Sequence, residues 1–173
     1  MAGSLVKIDE EIVTSAVASV TLGGADWDSS YDVYMVRVNN MTSTVDNEFG
    51  RIRVTVGGTP DTSSNYDSAS KVLRADTGFS NSAYANQDKA VVQSGVGTGT
   101  SETSQLILYL FNFNNSSEYS FATVEQTTVE ADGILNGAQG GFVNTVQQTC
   151  DGVQFFYDTG NITGQFVLYG LKK

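Results

Sequence analysis

The amino-acid sequence predicts an all-β protein, folded as a single domain in which two antiparallel sheets pack face to face. The composition favours strands joined by tight turns, because Gly (18 residues) and Tyr (8 residues) accompany abundant Ser, Thr, Asn and Val, whereas Pro occurs once. Apolar and polar residues alternate in short runs with the period of a strand. A chain of 173 residues without a helix-length apolar pattern suits one sandwich domain.

The pattern predicts about eight to ten antiparallel strands. Residues 50–58 show the cleanest alternation, with Ile52, Val54 and Val56 facing inward and Thr55 facing outward. The other strands are predicted at residues 16–22, 31–38, 102–112, 118–129, 141–149, 153–157 and 163–171.

Two segments are less regular. Residues 66–75 fit either a strand or a short helical turn, because Ala69, Val72 and Leu73 match both periods. Residues 76–95 are polar and weakly patterned, which predicts a surface excursion with a brief pairing at residues 89–93.

Among two-sheet folds we favour a jelly roll, since its two packed sheets take strands of this number and length. An immunoglobulin-like sandwich is the alternative, disfavoured by the chain length and by the lack of a Cys-Trp-Cys pattern. Residues 13–173 are expected to form the sandwich, preceded at residues 1–12 by an N-terminal arm or edge strand. The apolar residues of that arm form a candidate docking surface, made of Leu5, Val6, Ile8 and Ile12.

Aromatic residues concentrate in the C-terminal half, which predicts that this half supplies most of the core. They are Phe111, Phe113, Tyr119, Phe121, Phe142, Phe155, Phe156, Tyr157 and Phe166.

The charge balance narrows the possible partners. Acidic residues outnumber basic ones 19 to 9, so the formal charge is −10, which disfavours nucleic acid and anionic membranes as partners. No run approaches the roughly 20 apolar residues of a membrane span, and the N-terminal segment lacks the apolar stretch of a secretory signal. The sequence therefore predicts a protein made in a cytoplasm and not exported.

The sequence offers little for catalysis, so we predict a protein that is not an enzyme and assign it no catalytic residue or cofactor. Histidine does not occur in the chain, and Glu125 and Glu130 are five residues apart, an odd separation that places them on opposite faces of one strand. Cys150 has no second cysteine for an intrachain disulfide, and we interpret it as a buried or half-buried small apolar residue at a strand end rather than a nucleophile.

Two loops and one aromatic residue carry further hypotheses. Asp26, Asp28 and Asp32 resemble half of a calcium loop, but the glycine and distal glutamate are missing, so turn formation is preferred and calcium binding stays open. The Gly-rich residues 95–100 lack the Lys-Ser/Thr pair of a phosphate loop and are interpreted as a hairpin or flexible loop. Trp27 is interpreted as a packing staple, with a carbohydrate platform as the alternative.

Four spaced segments resemble a family of small phage virion structural proteins, common among phages of marine bacteria and cyanobacteria. The first two are Ala18-Ser19-Val20-Thr21-Leu22 with Tyr31-Asp32-Val33-Tyr34, and Val56-Gly57-Gly58-Thr59-Pro60-Asp61-Thr62 with Asn65-Tyr66-Asp67. The others are Leu108-Tyr109-Leu110-Phe111-Asn112 with Tyr119-Ser120-Phe121, and the C-terminal Gly164-Gln165-Phe166-Val167-Leu168-Tyr169-Gly170-Leu171-Lys172.

The resemblance implies a virion component with a jelly-roll-like fold. We expect a capsid decoration or cement protein that acts as a homotrimer and contacts the major capsid protein or tail proteins, with no nucleic acid or membrane as partner. The alternative is an adhesin on the tail or a capsid fibre, binding host surface glycans through Tyr- and Asn-rich loops at residues 76–100.

Overall fold

The computed structural model describes residues 4–172. Within this range the chain forms thirteen strands, and the helical structure there is a three-residue 3-10 turn at Gly24–Asp26. The strands are β1 (Ser4–Val17), β2 (Ser19–Gly23), β3 (Val33–Ser43), β4 (Glu48–Val56), β5 (Thr59–Pro60), β6 (Tyr66–Arg74), β7 (Gly78–Gln87), β8 (Ala90–Val96), β9 (Ser104–Phe111), β10 (Ser120–Val129), β11 (Leu135–Asn144), β12 (Gly152–Phe156) and β13 (Ile162–Lys172).

The strands form two sheets that pack face to face, so the predicted all-β two-sheet sandwich is confirmed. The larger sheet has eight strands in the order β1-β13-β3-β9-β10-β11-β6-β7. The smaller sheet has five strands, ordered β2-β12-β4-β5 with β8 also paired to β4. Neighbouring strands are antiparallel, and β2 and β8 lie against the inner face of the larger sheet.

The core lies between the sheets and draws on both halves of the chain. Val36 and Leu108 from the larger sheet and Ile52 from the smaller one are fully buried. The rings of Phe155 and Phe166 meet across the sandwich with their centroids 5.4 Å apart. Of the 26 buried core residues in the described chain, 17 lie between Ala90 and Leu168, so the prediction that the C-terminal half supplies most of the core is confirmed. Strands β2, β3 and β4 contribute most of the others.

The prediction of a surface excursion at residues 76–95 is wrong, because this segment contains β7 and most of β8. The brief pairing predicted at residues 89–93 is confirmed, since β8 pairs with β4 there. Strand β7 pairs with β6 at the edge of the larger sheet and is exposed along nearly its whole length. Because neither face of β7 is buried, its residues need not alternate between apolar and polar. Its sequence therefore lacks the strand pattern. The ambiguous residues 66–75 are resolved as strand β6.

The structure also differs from the prediction in the buried face of one strand and in the start of another. In β4, Val56 is exposed and Thr55 is buried, the reverse of the prediction, because the Thr55 hydroxyl donates a 2.7 Å hydrogen bond to Oδ1 of Asp151. Strand β11 begins at Leu135, earlier than the predicted residue 141. Among residues 4–172 no helix is long and apolar enough to span a membrane.

Candidate interaction surface

Asp28 stabilises the turn at residues 26–32. Oδ1 of Asp28 accepts a 3.0 Å hydrogen bond from the backbone N of Ser30, and its backbone O accepts one of 2.7 Å from Tyr34 Oη. The hydrogen bonds from Ser30 lower the pKa of the Asp28 carboxyl. No group of three or more His, Cys, Asp or Glu residues that could hold a metal ion occurs in the described part of the chain.

Carboxylates occupy backbone donors of the Gly-rich loop at residues 95–100. The N–H of Thr98 donates to Oδ1 of Asp46 over 3.2 Å, and the N–H of Gly99 donates to Oε2 of Glu102 over 2.7 Å. A phosphate would need such donors and would be repelled by the two acids. This geometry favours the structural interpretation of the loop.

Trp27 is a packing residue, as predicted. Its ring lies against Tyr34 and Phe113, with centroid separations of 3.9 Å and 5.7 Å. The indole Nε1 donates a 2.9 Å hydrogen bond to Oδ1 of Asn114. The sequence did not single out Asn114, although its amide joins the turn to the loop after β9.

Glu125 and Glu130 do not form a carboxylate pair. Glu125 is exposed on β10, whereas Glu130 follows that strand, is partly buried and forms an ion pair with Arg74. Burial raises the pKa of Glu130, and the nearby Arg74 charge acts in the opposite direction. No arrangement for glycoside hydrolysis results from this pair.

Cys150 is buried, and burial raises the pKa of its thiol to about 11. Near neutral pH the thiol is therefore protonated and has little nucleophilic character. The prediction of a small buried residue is confirmed.

A polar cavity of about 240 Å³ lies between the sheets near β6, β8 and β11. At its wall, Oδ1 of Asn136 accepts 3.0 Å hydrogen bonds from both Ser94 Oγ and Gln126 Nε2. Nδ2 of Asn136 donates to Oε1 of Glu130 over 2.9 Å. This network connects four polar side chains inside the sandwich.

The larger sheet has a second face, turned away from the smaller sheet, which we call the outer face. In register across this face, Lys7, Tyr169, Met35, Tyr109, Thr123, Gly141, Ala69 and Ala83 form one row that crosses all eight strands. Beside it, Val33, Phe111, Phe121 and Val143 form a shorter row. Most of these side chains are apolar, although they point away from the core.

We call the apolar part of this face the apolar patch. Its members share the outward orientation and are Leu5, Val33, Met35, Ile107, Tyr109, Phe111, Phe121, Val143, Tyr169 and Leu171. Phe121 is 43% exposed, Ile107 39% and Tyr109 38%. Soluble monomers seldom leave a contiguous apolar area of this kind uncovered, so the patch is a candidate interaction surface.

The patch overturns part of the aromatic-core prediction. Phe121 and Tyr119 are exposed and Phe111 is only half buried, because β10 turns Ala122 and Val124 toward the core instead. The sequence did carry a signal, since residues 106–111 are apolar at every position. A strand that is apolar on both faces is typically covered on both faces.

The outer face also has concave features. A depression of about 580 Å³ lies beside Phe121, Val143 and Tyr84, and another of about 270 Å³ lies between Arg37 and Ile107. The Nε atom of Arg37 is buried and has no hydrogen-bond partner within the described residues. A buried donor without an acceptor is costly, and a partner that supplied one would be favoured.

The N-terminal candidate residues lie on the edge strand of the larger sheet. Strand β1 pairs with β13 from Ser4–Lys172 to Val17–Ile162 and runs through residues 12 and 13 without a break. Leu5 pairs with Leu171, and Ile12, which pairs with Gln165, is 63% exposed. Val6 is exposed and Ile8 packs against the core at a register shift, whereas residues 1–3 of the expected arm lie outside the described residues.

The fold and its surface define an antiparallel β-sandwich whose larger sheet carries an uncovered apolar face. No protein-family model, curated protein or solved structure matches the chain.

Proposed function

We propose that the protein is a non-enzymatic structural subunit of a bacteriophage virion, a capsid decoration or cement protein that stabilises the shell by bridging its subunits. The observation that carries the proposal is the apolar patch on the outer face. A subunit that assembles exposes such a surface until a neighbour covers it, whereas a soluble monomer seldom has one.

The rest of the surface supports the same role. The formal charge of −10 repels packaged DNA, which suits a position outside the shell. The segments that resemble small phage structural proteins include parts of β9 and β10, where Tyr109 and Phe121 of the patch lie. A rigid sandwich with long strands would hold neighbouring capsid subunits together through its contacts with them, without any chemical reaction.

Quantitative mass spectrometry of purified particles tests this proposal. Hundreds of copies per particle are expected for a decoration protein, and particles that lack it should release their DNA at a lower temperature than complete ones. A handful of copies, with unchanged heat resistance, would contradict the cement role.

The polar cavity favours a second candidate function, an adhesin on the tail or a capsid fibre. Asn81 and Ser82, which line the cavity, lie in the residue 76–100 region expected to bind glycans. Hydroxyl and amide groups such as these form hydrogen bonds with sugars. Particles without the protein would then keep their heat resistance but adsorb poorly to host cells.

A further inference from the structure

We propose that the outer face binds a second copy of this chain, with the two outer faces packed against each other about a two-fold axis that runs along β9. The inference rests on the proposed function in treating the outer face as an assembly surface, and it names the partner and the register. It replaces the homotrimer that the resemblance implies with a two-fold dimer. It does not require a particle, so it is testable on the purified protein.

The charge pattern of the outer face carries this inference. A third row in register crosses the sheet as Glu10, Val167, Arg37, Ile107, Glu125, Gln139, Lys71 and Asn81. Its charged members therefore alternate in sign across the sheet, negative on β1, positive on β3, negative on β10 and positive on β6. Ile107 on β9 lies at the centre of the alternation.

The row of charges in one copy is complementary to the same row of a second copy in which the strand order runs the opposite way. A two-fold axis along β9 places β3 of one copy over β10 of the other, so Arg37 faces the Glu125 of the second copy. The same operation places Glu10 over the second copy's Lys71, while Tyr109 and Ile107 meet their own counterparts at the axis. A two-fold axis across the strands would instead superpose like charges, which is unfavourable.

The composition of the face fits a contact between two strongly acidic chains. Its strand residues include three bases, Lys7, Arg37 and Lys71, and three acids, Glu10, Asp67 and Glu125. This face is thus nearly neutral, although the chain carries a formal charge of −10. Two copies can approach through it without bringing their net negative charges together.

The available area is sufficient. An axis along β9 overlaps seven of the eight strands, and seven strands about 4.8 Å apart with three rows of side chains about 7 Å apart give a face on the order of 700 Å². Two such faces bury about 1,400 Å² in total, which lies within the range of about 1,200–2,000 Å² for standard stable interfaces. The central strands alone supply the apolar anchors, including Tyr109 and Phe121, of the kind that dominates binding energy.

Sedimentation velocity of the purified full chain tests the proposal through charge reversal. The wild type is expected to form a dimer at micromolar concentration. Arg37→Glu alone and Glu125→Arg alone should each raise the dimer dissociation constant at least tenfold, because each creates two like-charge contacts per dimer. The double variant should return the constant to within about threefold of the wild-type value, since the pairs are restored with reversed sign.

Two further variants test whether the effect is confined to the outer face, and each is checked for folding. Thr123→Glu lies on the outer face between Tyr109 and Gly141 and should weaken the dimer, whereas Thr21→Glu, exposed on the smaller sheet, should leave it unchanged. Circular dichroism and thermal unfolding confirm that each variant is folded. A monomer at all concentrations, a trimer, or a dimer that is indifferent to these outer-face variants would overturn the proposal.

Failure of this inference and failure of the proposed function are distinguishable. A monomeric protein present in hundreds of copies on purified particles would overturn only the inference. A dimer with the predicted charge dependence that is missing from particles would overturn only the virion role.

Discussion

The indole Nε1 of Trp27 donates a 2.9 Å hydrogen bond to Oδ1 of Asn114, 87 residues further along the chain. The Nδ2 of the same amide donates to the backbone O of Tyr31 and to Tyr34 Oη, each over 2.7 Å. One side chain thus holds the turn before β3 against the loop after β9.

Asn114→Ala is expected to destabilise the fold by about 1–3 kcal/mol, since it leaves partly buried donors and acceptors without partners. Urea unfolding followed by tryptophan fluorescence measures the loss and reports on Trp27 directly. Asn161→Ala, at an exposed position, is the matched control and should change the stability by less than about 0.5 kcal/mol. Equal stability of the two variants would contradict the assigned role.

Tyr66→Phe tests the buried hydroxyl beneath the smaller sheet. Tyr66 Oη accepts a hydrogen bond from the backbone N of Val54 (3.1 Å) and donates one to the backbone O of Asp61 (2.9 Å). Removing it leaves a buried N–H of β4 unsatisfied, at a cost of about 1–3 kcal/mol. Denaturant unfolding should show this loss for Tyr66→Phe and none for the exposed Tyr84→Phe.

Gly23→Ala is expected to be more harmful than Gly57→Ala, although both glycines have positive φ. An added Cβ at Gly23 would lie 2.5 Å from the backbone O of Asp151, whereas at Gly57 it would meet open space. The control therefore carries only the left-handed backbone cost, about 1–2 kcal/mol, and Gly23→Ala adds a clash at the end of β2. Thermal unfolding that ranks the two variants equally would argue against the close approach.

Cys150 is expected to give the stability an alkaline dependence. Burial raises the pKa of its thiol from 9.0 to about 11, so the unfolded chain loses this proton at lower pH than the folded chain does. The thiol's contribution is complete below pH 9 and is lost as the pH rises toward about 11. The buried hydroxyls of Tyr66 and Tyr157, whose pKa values burial also raises, act in the same direction at higher pH.

Unfolding free energies of the wild type and Cys150→Ala, measured at several values between about pH 8 and pH 10, check this dependence. The wild-type stability should fall more steeply over this range, by up to about 1.4 kcal/mol per pH unit. The comparison uses slopes, so the small cavity left by the substitution does not affect it. Parallel curves would show that the thiol does not ionise differently in the two states.

The sequence predicted the fold class because strand alternation and turn residues are local signals. It succeeded at β4, where Ile52 and Val54 are buried, and at Trp27, whose packing follows from its amphipathic ring. It failed at β7, because an exposed edge strand has no buried face and therefore needs no alternation of apolar and polar residues. The exchange of Thr55 and Val56 depends on Asp151, a partner 96 residues away that no local pattern reveals.

The candidate surface was harder to predict than the fold. Phe121 looks like a core residue until the strand register shows that Ala122 faces inward. The alternation of Glu10, Arg37, Glu125 and Lys71 joins four strands that are not consecutive in the chain. Only the topology places these charges in one row.

Hydroxyl-radical footprinting of the purified chain, below and above the concentration at which it associates, tests most directly whether the outer face is an assembly surface. Tyr109 and Phe121 should become protected as the protein associates, while Phe49, exposed on the smaller sheet, should stay equally reactive. Unchanged reactivity of Tyr109 and Phe121 in the associated protein would contradict the assignment of the outer face as the surface through which this protein assembles.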